Sequence, residues 1–435
     1  MDVDRRAALL FGAAAAVRLL LYITFPSLPD LLTGRVEIST PVTSFKRLQE
    51  GVFLYTHNVS PYDGGVFHQA PLLLPLFSLL PGPSSSHLPT AFLYTLLDLL
   101  SAHSLLQIAA SGASTRTRLF TSPRADTRYS PLAVAAAFLF SPFTIVVCVG
   151  RPTSAFTNAF VLLATAQAVQ GKGTTMVLAL SAATYLALHP VLLLPPLLIL
   201  CYDAQMGPWK PVSAKYQPRA SGRAVSFTLQ YSALFGLALS TLLFASNLIL
   251  PANATPRSFL PATYGVHLLL PDLTPNVGLW WYFFIEMFDS FREFFLGVFW
   301  LHMASYCPGL CVRLRHQPLF VVATLCGIFA IFQPYPSVAD AALYFALVPL
   351  FRHVFPLMRY TFFATATLLY ATFLGPAFYH LWIYAGSGNA NFFYAITLVW
   401  SLGLSVIVAD LLYAVLRDEW EAERPEVRGK EAIRI

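Results

Sequence analysis

The sequence predicts an all-α polytopic membrane protein with about twelve transmembrane helices. Three observations carry that expectation. Charged residues make up 11% of the 435 positions, where a soluble domain carries about 25%. The 27 Lys and Arg and 21 Asp and Glu are too few to solvate the two or three soluble domains a chain of this length would otherwise form. The apolar set reaches 57%, and runs such as 7–25 and 225–250 are of spanning length without the alternation of barrel strands. An ordinary soluble enzyme, a disordered regulator and a fibrous protein are excluded together.

Taken in order, the first span is 7–25. It holds Arg18, and the residues after it, Ser27-Leu28-Pro29-Asp30, offer no small-residue cleavage site, so it reads as an anchor that stays. Spans follow at 88–111, 131–150, 155–170, 174–188 and 190–202. The last two are separated because His189-Pro190 and Pro195-Pro196 interrupt the ladder, proline lacking the N–H and clashing with the preceding turn. The remaining spans are 225–250, 288–312, 318–334, 338–357, 360–383 and 391–416. This layout places 20 of the 27 basic residues on one side and six on the other, with Arg18 inside a span, the asymmetry expected of cytosolic loops. Both termini are then cytosolic. Residues 1–416 form one membrane domain with lumenal loops 26–87, 251–287 and 384–390, and 417–435 is a solvated cytosolic tail. The sequons at Asn58 and Asn253 fall on the lumenal side.

The five cysteines lie mostly in apolar runs and lack a His/Cys partner set, so they read as buried thiols. No metal, cofactor or nucleic acid is expected. Ionisable residues inside spans are costly and are candidates by default. They are Arg18, Asp98, His103, His189, Asp340 and Asp410, each with packing or interfacial snorkelling as the competing explanation. In the first lumenal loop Glu37, Glu50 and Asp63 are isolated acids without an Asp-x-Asp pair. The segment 271–288 begins with the turn and cap residues Asp272, Thr274 and Asn276 and continues into Trp280-Trp281-Tyr282-Phe283-Phe284. It predicts an amphipathic helix lying in the membrane interface, with the wall of a lipid groove as the alternative.

The most informative segment joins the last two spans. Gly386-Ser387-Gly388 makes a tight turn, and Asn389 and Asn391 present two amides where the next helix begins. An amide donates to phosphate or sugar and accepts from hydroxyl or ammonium, and a helix N-terminus favours anions. Trp382, Tyr384, Phe392, Phe393 and Tyr394 form an apolar collar. Amides at headgroup depth above rings at acyl depth suit a glycolipid. The candidate lipid-binding residues are Asn389, Asn391, Tyr384, Ser387, Phe392 and Phe393; the competing reading is that one Asn caps the helix and the other faces water.

These segments resemble the PIG-U family, polytopic subunits of the glycosylphosphatidylinositol (GPI) transamidase. The matching stretches are Arg35-Val36-Glu37 with Pro41, Ser44-Phe45-Lys46-Arg47 and Glu50-Gly51; Val59-Ser60-Pro61-Tyr62; Tyr264-Gly265; Pro271-Asp272-Leu273-Thr274-Pro275-Asn276; Tyr335-Pro336; Asp340-Ala341-Ala342-Leu343-Tyr344; and 380–398. The first is also similar to GPI mannosyltransferases, which have the multi-span GT-C fold and an Asp-x-Asp pair in that loop. Here the region reads Arg35-Val36-Glu37-Ile38-Ser39, without the pair.

The resemblance implies a GT-C-like scaffold in the endoplasmic reticulum membrane that kept lipid-glycan recognition and lost transfer chemistry. It implies a non-catalytic subunit that binds the GPI lipid at Asn389 and Asn391 and presents it to a caspase-like catalytic subunit, PIG-K, in a complex with PIG-T, PIG-S and the GAA subunit. An active mannosyltransferase using dolichol-phosphate mannose is the alternative, weakened by the missing acidic pair. A transporter is a third reading, weakened by the scarcity of intramembrane charge and the lack of visible repeats.

Overall fold

A computed structural model describes residues 2–81, 87–207, 222–251, 257–428 and 430. The sequon at Asn253 and the basic positions Lys210, Lys215, Arg219 and Arg434 lie outside the described residues. Among the described residues the regular structure is helical, with one isolated bridge between Arg116 and Thr121.

The chain starts with α1 (Asp2–Thr24), then three short helices in the first long loop, α2 (Leu28–Thr33), α3 (Phe45–Thr56) and α4 (Leu73–Ser78). It continues through α5 (Leu88–Ser111), α6 (Pro131–Leu139), α7 (Pro142–Gly150), α8 (Ser154–Val169), α9 (Gly173–Leu186), α10 (Leu194–Met206) and α11 (Gly222–Ile249). The second long loop holds α12 (Val266–Leu269) and α13 (Trp280–Ile285), and the chain ends with α14 (Asp289–Arg313), α15 (Pro318–Phe332), α16 (Val338–Leu347), α17 (Thr361–Ile383) and α18 (Ala390–Glu423).

Each of the twelve predicted segments coincides with helix. Seven helices are long and apolar enough to cross a membrane, eight with α6 and α7 counted as one span. The expected single span 131–150 is instead bent by 52°. The bend lies at Ser141-Pro142, where proline occupies the first position of α7 and cannot donate to the preceding turn. α8, α9 and α15 are apolar but run only 16, 14 and 15 residues. The chain breaks after α9 into a 3-10 turn at His189–Leu193 before α10, as the prolines there require.

The core is built from α5, α6, α8, α9, α10, α15, α16 and α18, with residues such as Leu105, Leu162, Leu180, Leu197, Val322 and Leu347 sealed from solvent. Charged contacts hold the two ends. At one end the long loops meet, with Arg47 Nη1 2.8 Å from Asp272 Oδ2. At the other, Arg124 bonds Asp418 at 2.7 Å and also Glu421, while Arg313 and Gln317 both bond Glu419. α18 therefore runs unbroken past residue 416, and Asp418 is 1% exposed. The expected solvated tail begins, at residues 417–423, as a packed continuation of the last helix.

Five of the six intramembrane ionisable residues acquire polar partners, and His189 packs its ring against Phe329. Arg18 on α1 pairs with Asp98 on α5. Asp340 forms a capping box with Ser337 at the start of α16. Asp410 accepts from the Arg359 and Tyr360 backbone amides ahead of α17. His103 bonds Gln107 one turn on.

Candidate lipid-binding site

An apolar opening lies among α7, α17, α18 and the loop after α2. It is a cavity of about 500 Å³, within the range typical of sites for small ligands. Phe143 and Val146 form one wall, Phe373, Gly375 and Pro376 another, and Phe393, Ile396 and Trp400 a third. Val277, from the second long loop, and Val338 complete the lining. The charged side chains among the lining residues are Arg35 and Glu37.

Local folding places this pair. α2 ends at Thr33, and the Ile38 and Ser39 amides both bond the Arg35 carbonyl, at 3.1 and 2.9 Å. The Glu37 carbonyl accepts from Val338 N at 2.8 Å, pinning the loop to the first turn of α16. Arg35 donates from Nε and Nη2 to the two oxygens of Glu37, at 3.1 and 2.9 Å. Its guanidinium also lies 6.0 Å from the Tyr379 ring centroid.

Tyr379 links that pair to the turn before α18. Its ring meets Phe393 at 5.1 Å and Tyr384 at 6.2 Å. In the turn, Gly386 has φ +63°, a conformation that favours glycine, and the Ser387 and Gly388 amides both bond the Leu381 carbonyl at 3.0 Å. Asn389 caps α18, its side chain accepting from Phe392 N at 3.2 Å. Asn391 accepts from the Tyr282 hydroxyl. Both asparagines, Tyr384 and Ser387 are exposed.

The six candidate residues therefore separate into two levels. Phe393 is buried and walls the cavity. Asn389, Asn391, Tyr384 and Ser387 are exposed in and beside the turn that precedes Phe393, and Phe392 is exposed too, stacked 5.9 Å from Phe378. One asparagine does cap the helix, as the competing reading held; the other is partnered by Tyr282 rather than facing water alone.

The aromatic segment after Asn276 turns partly inward. Trp280 and Trp281 are each 1% exposed, so two rings of α13 pack into the protein instead of facing outward, as the alternative of a groove wall would have them. Trp281 stacks on Trp382 at 6.2 Å and contacts Phe393 and Tyr394, making this helix a backing wall for the site. Arg35, Phe143, Tyr282 and Tyr379 are the site residues that sequence reasoning did not single out for binding. Tyr282 lay within a flagged aromatic run, but its partner is 109 positions away.

Near the site the two long loops share a polar junction. The Asp272 side chain accepts from Thr274 and Arg47, and the Tyr335 hydroxyl bonds its carbonyl at 2.8 Å. Burial pushes the Asp272 carboxyl up, but these hydrogen bonds outweigh it and hold the group below the usual carboxylate range. His68 Nδ1 bonds the Ala262 carbonyl at 2.8 Å, and Nε2 lies 3.9 Å from Asp272. Burial, helped by Arg47, pushes His68 below its usual value against the pull of that carbonyl and of Asp272. A second pocket, of about 30 Å³, is lined by His189, His267, Gln333 and Asp340 and has room for roughly two water molecules. Among the described residues no cluster of three or more His, Cys, Asp or Glu could hold a metal ion.

A chain that is all-helical among the described residues, with seven helices long and apolar enough to cross a membrane and an apolar cavity whose lining holds a single ion pair, defines a multi-pass membrane protein. Residues 12–400 match the model of the family described as GPI transamidase subunit PIG-U. The GPI-anchor transamidase component PIGU of Cricetulus griseus is 35% identical over 424 residues, covering 95% of this chain and 94% of its own. The Homo sapiens protein of the same name is 34% identical over 423 residues, with the same coverage. The GPI transamidase component GAB1 of Saccharomyces cerevisiae is 34% identical over 417 residues, covering 95% and 96%. The chain belongs to the PIG-U family.

Proposed function

We propose that this protein is a non-catalytic, multi-pass subunit of the GPI transamidase in the endoplasmic reticulum membrane. It holds the GPI lipid and presents it to a separate catalytic subunit. Twelve membrane crossings on a GT-C-like scaffold, both termini cytosolic, and assembly with PIG-K, PIG-T, PIG-S and the GAA subunit belong to the same proposal.

The observation that carries it is the apolar groove walled by Phe393, Ile396 and Trp400, with Asn389 and Asn391 exposed in the turn that leads into Phe393. Apolar lining suits acyl chains, and exposed amides suit phosphate and sugar hydroxyls. Glu37, the acid in the loop that resembles the mannosyltransferase motif, is occupied by Arg35 rather than paired with a second carboxylate.

The test is replacement of both asparagines by leucine in cells that depend on this chain. The expected outcome is reduced GPI-anchored protein at the surface, with the complex still recovered intact by affinity purification. Full anchoring by the double variant would remove the site assignment. Mannosyl transfer by the purified chain would overturn the non-catalytic reading.

A further inference from the structure

Apart from Thr372 and Thr397, the polar side chains lining the groove are the charged pair Arg35 and Glu37. We infer that Arg35 takes the phosphate of a diacyl phosphodiester lipid seated in the groove, and that Glu37 is the internal counter-ion it releases when the lipid arrives. This rests on the lipid-binding reading above and names the residue that distinguishes a charged lipid from its neutral counterpart.

Three features of the pair support the inference. First, Arg35 and Glu37 are the charged residues lining a cavity otherwise walled by groups such as Phe143, Phe373 and Trp400. A charge is placed beside hydrocarbon at a cost unless it is paired, and here the pairing is a forked one, Nε and Nη2 to the two carboxylate oxygens. That fork matches a phosphate as well as it matches a carboxylate.

Second, the pair is exchangeable. The side chains are 21% and 13% exposed, so the pair is part-buried but not sealed, and a phosphate that takes the guanidinium replaces one forked anion by another. Glu37, once released, must turn toward water, because it is 13% exposed in the pair.

Third, the arginine is already aimed. The backbone around it is fixed by the bonds of Ile38, Ser39 and Val338. Ser39 Oγ ties back to the Thr33 carbonyl at 2.7 Å. A Cβ added at Gly150 would come within 2.7 Å of Ile38, so α7 also buttresses the loop. Tyr379 lies against the guanidinium and continues to the turn bearing Asn389 and Asn391. A phosphate at Arg35 therefore leaves the rest of a headgroup directed toward those amides, with acyl chains running along Phe393 and Ile396.

The experiment uses the full chain with the subunits that co-purify, in nanodiscs, and measures binding of three probes. Phosphatidylinositol carries tails and phosphate, diacylglycerol carries tails alone, and glycerophosphoinositol carries the phosphate alone. Wild type is expected to prefer phosphatidylinositol over both others. Arg35→Gln should weaken phosphatidylinositol about tenfold, the scale of one charge-assisted hydrogen-bond pair, and leave diacylglycerol unchanged. Arg35→Lys should recover only part, because it keeps charge but not the fork. Glu37→Gln should hold or raise phosphatidylinositol affinity, since the competitor is gone.

Equal binding of phosphatidylinositol and diacylglycerol by wild type would overturn the inference, as would an Arg35→Gln loss shared equally by both lipids. So would Glu37→Gln abolishing binding while the protein still melts at the wild-type temperature. Stronger binding of glycerophosphoinositol than of either lipid would show a headgroup site independent of the groove, and would also overturn it. Failure of the parent reading looks different: neither tailed probe binds at all, and the phosphate inference falls with it.

Discussion

Arg18 Nε donates to Asp98 Oδ2 at 2.7 Å, with the arginine side chain fully buried and the carboxylate nearly so. The same guanidinium reaches the Ala14 carbonyl at 3.2 Å, satisfying a second donor within its own turn. This pair ties α1 to α5, the element onto which α6 and α8 also pack. Removing one partner leaves an unpaired charge in a sealed site, which typically costs about 3–5 kcal/mol. Arg18→Leu and Asp98→Leu are each expected to lower the melting temperature of the purified protein sharply. The double variant should recover much of the loss, because two apolar side chains leave no charge to solvate. A double variant as unstable as the sum of the singles would show that the two residues act independently.

The far end of α18 is held by a different device. Arg124, in the loop between α5 and α6, bonds both Asp418 and Glu421, and Arg417 bonds Glu421 at 2.7 Å. Arg124→Ala leaves two buried acids without their shared donor, a loss of about 1–3 kcal/mol. The expected result is protease cleavage near residues 417–428 at enzyme concentrations that spare the wild type, with the rest of the chain intact. Unchanged cleavage would show that packing of Trp420 and its neighbours holds the segment without the arginine.

The helices were legible because bilayer solvation demands long apolar stretches, and proline marks where they break: His189-Pro190 did so between α9 and α10. The bend at Ser141-Pro142 was hidden inside a run that stays apolar on both sides. Arg18 and Asp98 were each conspicuous as charges in spans, but their pairing, across 80 positions, needs the packing of α1 on α5. The site divides in the same way. The turn at 386–391 was readable because its glycines, serine and asparagines are contiguous. The groove was not, because its walls come from segments as distant as Phe143, Phe373 and Trp400, and their individual residues look like ordinary membrane-facing or core side chains. Glu37 read as an isolated acid until the fold set it against Arg35 in the cavity lining.

Blocking the groove tests lipid occupancy without touching the turn. Gly375 lines the cavity, and the nearest atom a Cβ there would meet is Ile396 Cγ2 at 3.9 Å. A larger side chain therefore enters open space instead of clashing. Replacing a helix-interior glycine also removes a propensity cost of up to about 1 kcal/mol. Gly375→Phe is expected to keep or raise thermal stability while reducing the amount of lipid that co-purifies, read by native mass spectrometry. Undiminished lipid in a well-folded variant would place the acyl chains elsewhere.

The junction of the two long loops should weaken in acid, and the sign follows from its titrating groups. His68 binds its proton less readily in the folded protein than in the unfolded chain. Its contribution is complete above the unfolded value of about 6.5 and is lost as pH falls through and below it. Asp272 is also depressed, so its contribution is retained until pH drops below the unfolded carboxylate value of about 3.9. Between pH 7 and 5 the loss at these loops therefore comes from histidine, from His68 and from His267 of α12, which burial also pushes down, to about 4. Melting temperature should fall over that window in wild type and fall less in His68→Gln; equal slopes would assign the titration to another group.

Asn389 has two roles to separate, and one substitution separates them. Its side-chain oxygen caps α18 by accepting from Phe392 N, and in the proposed function its amide nitrogen is the group offered to a headgroup. Asn389→Ala loses both and should cost about 0.5–2 kcal/mol from the cap alone. Asn389→Asp keeps the accepting oxygen, and its negative charge suits a helix N-terminus, so stability should match or exceed wild type. The carboxylate cannot donate to a phosphate or sugar oxygen and repels an anionic headgroup. If the amide reads the lipid, Asn389→Asp melts like wild type yet supports much less GPI anchoring, measured as surface GPI-anchored protein. Wild-type anchoring by Asn389→Asp together with defective anchoring by Asn389→Ala would reduce the residue to a cap and leave recognition to Asn391 and its Tyr282 partner.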